Sequence, residues 1–378
     1  MPAEGWSSLR TSTTRLVLAA AAAASALVLA ACGSGGGTSP SSSSVSSTPS
    51  AVPSTFAPTT VRLLTHDSFA LTESLLDDFQ ARTGITVEVV TGGDAGELVN
   101  KAALTAGNPE GDVLFGVDST LLSRALQSGV FDPYVSPAAS GVPSELKAAT
   151  QDAVTPVDYG DVCINVDGAW FQEQGIAEPT TLDDLVKPQY RDLLVVQNAA
   201  TSSPGLAFLL ATIATYGEDG YQDYWSKLRA NGVKVVNGWT EAYEGEYTVS
   251  GNGSRPLVVS YASSPPAEIV YASDPKPAKP FSSVMESSCY RQVEYAGVLA
   301  GTEQPEAARA VVDWLLSPEV QADVPLSMFV FPAVQGTPLP DVFATWAATP
   351  ASPLVLDPAE IDAKRSEWVD AWDEVTLR

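Results

Sequence analysis

The sequence predicts an α/β protein of two lobes joined by two extended crossovers. Three observations carry this expectation. From Val61 to Ser128 short apolar runs alternate with amphipathic helical ones, the pattern of parallel strands linked by helical crossovers. Two extended segments, Val154–Val166 and Tyr290–Ala296, stand outside that alternation and are placed to carry the chain out of one lobe and back. The 378 residues also exceed what one ordinary core organises.

The first strand, Val61–Leu64, ends in Thr65-His66-Asp67-Ser68-Phe69. Leu75, Leu76 and Phe79 share one face of a helix over Leu71–Thr83, and Gly84 stops it. Ile85–Val90 alternates as a second strand, Gly92-Gly93 turns the chain, and Glu97–Ala106 is helical. A third strand, Gly111–Phe115, leads through Gly116 and Val117 to Asp118, with Ser119 expected to cap a helix over Leu121–Ser128. His66, Asp67, Ser68 and Asp118 therefore fall at the carboxyl edge of the sheet, where open α/β sheets bind ligands. An Asp in such a loop serves equally well as a helix cap.

Past the first crossover a short helix is expected over Pro179–Val186 and a buried strand over Leu193–Gln197. Ser203, as cap, and Pro204 open an apolar helix that runs to Tyr216. The hydroxyls of Ser202 and Ser203 with the free N–H groups there make an anion site or a simple cap. Tyr221–Arg229 reads as a helix and Val233–Val236 as a strand. Beyond the return segment, Pro305–Leu316, Glu319–Val324 and Glu360–Glu374 read as helices, the last turning Ile361, Trp368 and Trp372 inward.

The stretch Asn237–Pro266 has the strongest chemical character. Trp239, Tyr243 and Tyr261 supply ring faces and Glu241 a carboxylate, while the strand Leu257–Val259 delivers Tyr261 and the Ser263-Ser264 turn to the sheet edge. Ring faces attract positive charge and a carboxylate neutralises it, so this composition suits a flat organic cation. The same rings would also serve as core filling.

A formal net charge of −25 argues against nucleic acid as a partner. Arg10 and Arg15 precede the apolar run Leu16–Ala31, which fits a signal peptide over residues 1–32. The small residues before Cys32 resemble the lipobox of bacterial lipoproteins, which implies a lipidated Cys32, a membrane anchor and an extracytoplasmic location. Residues 33–60, rich in Ser, Gly, Thr and Pro, read as a tether. Outside the cytoplasm Cys163 and Cys289 are expected to pair, two buried free thiols being the alternative. One His and two separated Cys give no metal-site spacing. No cofactor is implied.

The motifs THDSF (65–69), FGVDSTLL (115–122), VDYG (157–160), TSSPGL (201–206), GWTEAY (238–243), SYASSP (260–265), LSPEVQ (316–321) and RSEWVDAW (365–372) occur in order. Together they resemble the thiamine-binding components of ABC importers, within the type II solute-binding proteins. The resemblance implies a type II periplasmic-binding-protein-like fold. Its first lobe would span 61–160 and 291–378, with the C-terminal helices, and its second 161–290. It implies a monomer that captures thiamine or its phosphate esters without catalysis and hands it to an ABC permease. It places Trp239, Glu241, Tyr243 and Tyr261 with Asp118 around the ligand, and Ser202 and Ser203 at its hydroxyl or phosphate. His66, Asp67, Ser68, Tyr159, Ser264 and Phe329 complete the expected lining. His66, Ala267 and Phe329 stand where the family has Tyr, Tyr and Trp, which leaves the ring pattern different. The same fold binding ferric iron or another organic cation is the alternative. A secreted hydrolase built on His66 fits less well, because no G-x-S-x-G elbow is present.

Overall fold

A computed structural model describes residues 55–147 and 150–378. The leader, Cys32 and most of the tether lie outside the described residues. In chain order the elements begin with β1 (Thr59–Thr65), α1 (Glu73–Thr83), β2 (Ile85–Thr91), α2 (Ala95–Leu104), β3 (Val113–Asp118), α3 (Leu122–Gln127) and β4 (Phe131–Asp132). There follow β5 (Thr155–Asp167), α4 (Gly168–Gln174), β6 (Leu194–Gln197), α5 (Ser203–Tyr216), α6 (Tyr221–Ala230), β7 (Lys234–Val236) and β8 (Leu257–Tyr261). The chain closes with α7 (Pro266–Val270), β9 (Ser282–Leu299), α8 (Pro305–Leu315), α9 (Pro318–Ser327), β10 (Phe331–Pro332), α10 (Asp341–Trp346) and α11 (Pro358–Thr376).

Hydrogen bonding orders the strands β2-β1-β3-β9-β5-β8-β6-β7, with β10 on β5 and β4 on β9. The triplet β2-β1-β3 is parallel and belongs to the first α/β lobe, while β8, β6 and β7 are parallel and belong to the second. Between them run the two crossovers, β5 and β9, 13 and 18 residues long and antiparallel to each other. This is the two-lobed arrangement that the alternation and the two extended segments imply, and the type II periplasmic-binding-protein-like fold that the resemblance implies.

Helix α5 is apolar all round because it is enclosed, with Leu206 to Ala211 at most 1% exposed. Trp225 of α6 sits edge-on between Phe208 at 5.6 Å and Trp372 at 5.5 Å, and its indole N–H donates to Thr212 Oγ1 at 2.9 Å. Helix α11 thus closes this core with the same Trp face that its periodicity predicts.

Three local expectations change. Helix α3 is not capped by Ser119; Asp118 takes the N–H groups of Thr120 and Leu121 instead, because strand β3 runs on to Asp118 and aims its carboxylate back at the turn. Ser202, not Ser203, is the cap residue of α5, and no side-chain cap bond forms there. The segment Pro179–Val186 forms only a tight 3-10 turn at Leu182–Asp184, held by Asp184 accepting from Thr180 and Thr181. The stretch after β7, for which no element is expected before Leu257, winds as a wide helical turn over Glu241–Glu246.

Cys163 and Cys289 are joined by a disulfide. The bond lies where the β5–β9 register jumps, between Val162↔Tyr290 and Ile164↔Met285, and Ser288 Oγ fills the gap by accepting from Ile164 N at 2.8 Å. It closes a loop of sequence separation 126. Replacing both cysteines by Ala is expected to lower stability by about 2–4 kcal/mol. Urea unfolding measures this, and a loss near zero would show that the strand ladder alone fixes the crossover.

Candidate functional site

The centre of the sheet carries an unusual row. On β3, β9 and β5 the register aligns Asp118 with Glu294 and Glu294 with Asp158. Cross-strand partners point to one face, so the three carboxyl groups lie side by side. Asp118 and Asp158 are each 1% exposed. His66, at the end of β1, reaches Glu294 Oε1 with its Nε2 at 3.1 Å. It lies over Gly116, where a β-carbon would come within 2.6 Å of the imidazole and where φ is +105°. Burial works against a charge on His66, but Glu294, with Asp94 and Asp67 behind it, holds the imidazolium above its ordinary range.

Asp118 is well supplied with donors. Its Oδ1 accepts from Thr120 N at 2.8 Å, Thr120 Oγ1 at 2.6 Å and Leu121 N at 3.1 Å. Its Oδ2 accepts from Gln292 Nε2. Gln292 also donates to Ser203 Oγ at 3.1 Å and accepts from Tyr261 OH at 2.8 Å. One buried amide therefore connects β3, α5 and β8. Burial outweighs the donors and pushes Asp118 up to about 6. Burial, then Glu294, drives Asp158 well above the carboxylate range.

The rings meet this row from the second lobe. Tyr261 is half-buried and lies against Gly160, where a β-carbon would approach Cδ1 to 2.8 Å. Trp239 is half-buried, stacked on Tyr243 at 4.8 Å and 13°, and donates its indole N–H to Ser260 Oγ at 2.9 Å. Ser264 holds Ser260 Oγ at 2.9 Å and accepts from Tyr261 N at 3.2 Å. Asp94, the cap of α2, crosses from the first lobe: Oδ2 accepts from Trp239 N at 2.9 Å and Oδ1 from Ser203 N at 3.2 Å.

A family model described as a bacterial extracellular solute-binding protein matches residues 108–362. The chain belongs to that family. A thiamine-binding periplasmic protein of Escherichia coli (strain K12) is 30% identical over 331 residues, covering 85% of this chain and 95% of the relative. A solved periplasmic thiamin binding protein superposes with a TM-score of 0.74 at 29% identity, covering 84% of this chain and 96% of that one. Iron uptake protein A2 of a Synechocystis species is 23% identical, covering 69% of this chain and 75% of the relative. The two thiamine-binding relatives are named as periplasmic, which supports an extracytoplasmic location for this solute-binding protein.

The structure joins Asp118, Ser203 and Tyr261 through Gln292, with Trp239 linked through Asp94 and Ser264 through Ser260, and sets the separate His66–Glu294 pair beside them by strand register. Ser202 is buried beside them. Tyr243 lies behind Trp239, 5% exposed, and its hydroxyl has no partner among the described residues. Asp67 is exposed, with Ser68 Oγ donating to it at 3.3 Å. Glu241 is also exposed and accepts from Asn237 N at 3.0 Å, so its carboxylate supports its own turn. Tyr159 neighbours Asp158 in sequence and faces the other way. It stacks on Phe331 at 5.4 Å, in a cluster that also holds Phe329.

Sequence reasoning missed Asp94, Asp158, Gln292 and Glu294. The available signals were an Asp after the Gly92-Gly93 turn and alternate polar residues inside otherwise apolar crossover strands. Among the described residues no group of three or more His, Cys, Asp or Glu is arranged to hold a metal ion. A cavity of about 900 Å³ lies elsewhere, beside α4, lined by Phe171, Ile176, Glu178, Pro265, Phe281 and Trp346.

The Asp118 environment sets a sign. Between 3.8, the ordinary carboxylate value, and about 6 the folded protein keeps a proton that the unfolded chain has released. Folding then binds protons, so this group's contribution falls as pH rises through that window. Relative to Asp118→Asn, the unliganded wild type is expected to lose about 2–3 kcal/mol from below the window to above it, at about 1.4 kcal/mol per pH unit. Urea unfolding of both proteins across the window reads the difference. A constant gap would show that Asp118 is not held protonated.

Proposed function

We propose that this protein captures thiamine, or one of its phosphate esters, and delivers it to an ABC permease. The observation that carries the reading is the pairing of half-open ring faces, Trp239 and Tyr261, with a buried acidic row beneath them. Thiamine brings a permanently positive thiazolium, which ring faces and carboxylates attract, and an aminopyrimidine suited to stacking. Relatives named for thiamine binding, matched over nearly their full length, support the same ligand.

The lobes are proposed to divide near 160/161 and 290/291, within β5 and β9, and to shut over the ligand by hinge motion. Asp94 would then act as a latch, because its carboxylate belongs to the first lobe and its Trp239 and Ser203 donors to the second. Capture and release need no bond-making step, so no catalytic residue is assigned. The protein is proposed to work as a monomer, held by lipid on Cys32 at the outer face of the membrane.

Titration calorimetry with thiamine, its mono- and diphosphate and ferric citrate tests the ligand. Saturable binding of thiamine or a phosphate ester is expected, and binding of ferric citrate alone would move the protein to the iron-binding branch of the fold. Trp239→Ala is expected to weaken thiamine binding by about 2 kcal/mol, roughly 30-fold. Unchanged affinity would remove Trp239 from the site. For the anchor, Cys32→Ser is expected to shift the protein from the membrane fraction to the soluble one; continued membrane association would refute lipidation at Cys32.

A further inference from the structure

We propose that the empty site stores an acid proton between Glu294 and Asp158, and that an organic cation entering the site takes its place, so that capture releases about one proton. The inference rests on the cationic-ligand reading above.

The geometry leaves little alternative. Asp118, Glu294 and Asp158 stand abreast on adjacent strands. Asp118 has N–H and hydroxyl donors on both oxygens, and pH 7 lies above its own value of about 6, so it is largely ionised there. Glu294 has His66 on one side. Asp158 Oδ2 is fully buried, and no N–H or hydroxyl among the described residues reaches it. Its cross-strand neighbour is the Glu294 carboxyl, and two adjacent carboxyl groups can satisfy each other only through a shared proton.

Apart from His66, the cation that acts on the row among the described residues is Arg365, through space on Asp118 and not on the Glu294–Asp158 pair. Asp94 and Asp67 face His66, and Tyr261 faces Glu294, Asp118, Asp94 and Asp158. Arg291 is committed to Asp161, with Nε to Oδ1 at 2.6 Å. Among the described residues His66 is thus the one basic side chain ion-paired with this row, facing three carboxyl groups. A permanent cation changes that balance. Its field favours ionisation of the pair, the Asp158–Glu294 O–H bond breaks, and the proton passes to water and then buffer. Below the range in which the raised Asp158 group loses its proton, the ligand must displace that proton, so affinity rises with pH. Above that range the pair is already ionised and affinity levels off. Loss of a proton from His66 would give the same slope, so variants must separate the two.

The test is calorimetric titration of the mature protein with thiamine near pH 7 in two buffers of different ionisation enthalpy. The wild type is expected to release about one proton per ligand. His66→Gln is expected to keep that release, and Asp158→Asn to lose most of it. Glu294→Gln probes the same pair and is also expected to lose it, which covers a failure of Asp158→Asn to fold. Equal heats in both buffers for the wild type would overturn this inference and leave the ligand reading standing. So would release that vanishes in His66→Gln but persists in Asp158→Asn. Absence of thiamine binding would overturn the ligand reading and this inference with it.

Discussion

Lateral register between β3, β9 and β5 is the constraint on which the site depends. It forces Asp118, Glu294 and Asp158 into neighbouring positions on one face of a buried sheet. Carboxylates cost free energy when buried and more when crowded. The surrounding residues answer that cost one by one: Thr120 and Gln292 donate to Asp118, and His66 pairs with Glu294. What remains uncompensated is negative charge on the row, with the half-buried Tyr261 in its field. A fold that maintains such a surplus is prepared for a positive partner.

The second lobe is fitted to that row through polar contacts. Gln292 reaches Asp118, Ser203 and Tyr261 at once, so a change at β3 is felt at the N-terminus of α5 and at the tip of β8. Asp94 repeats the theme from α2. Its carboxylate occupies the N–H of Ser203, at the helix end that sequence reasoning offers to an external anion. The positive end of α5 is therefore already balanced by the protein's own acid. A phosphate arm on the ligand would have to share that end with Asp94.

Much of the fold is visible in the order of residues. Alternation of period between Val61 and Ser128 specifies parallel strands, and Ile361, Trp368 and Trp372 specify the buried face of α11. The rings of the site are visible too, since Trp239 and Tyr261 sit beside turn residues at a sheet edge. The acids Glu294 and Asp158 are not, because their meaning lies in pairing between segments more than a hundred positions apart, and register is a non-local property. Asp94 hides for a different reason. A Gly-Gly-Asp turn before a helix is fully explained by capping, and Asp94 does accept from Ala95 N at 2.6 Å while also bridging the lobes. Glu241 shows the converse, a carboxylate among aromatic residues in sequence that turns to its own backbone in space.

His66 bears on ligand choice most directly. A phenol at this position would offer a permanent neutral ring face. An imidazole offers a face whose charge depends on its neighbours, and here Glu294 favours the charged form. A cationic imidazole repels a thiazolium, so its value to the empty site is to offset part of the acidic row until ligand arrives. Cation–π attraction of about 0.5–2 kcal/mol per ring is too small to decide occupancy alone. The exchange of one positive charge for another on the carboxylate row is the larger lever, and it acts on charge rather than on ring shape. On the proposed function, the site would select a flat cation first and discriminate among such cations second, through Trp239, Tyr261 and the hydroxyls of Ser260 and Ser264 that hold those rings in place.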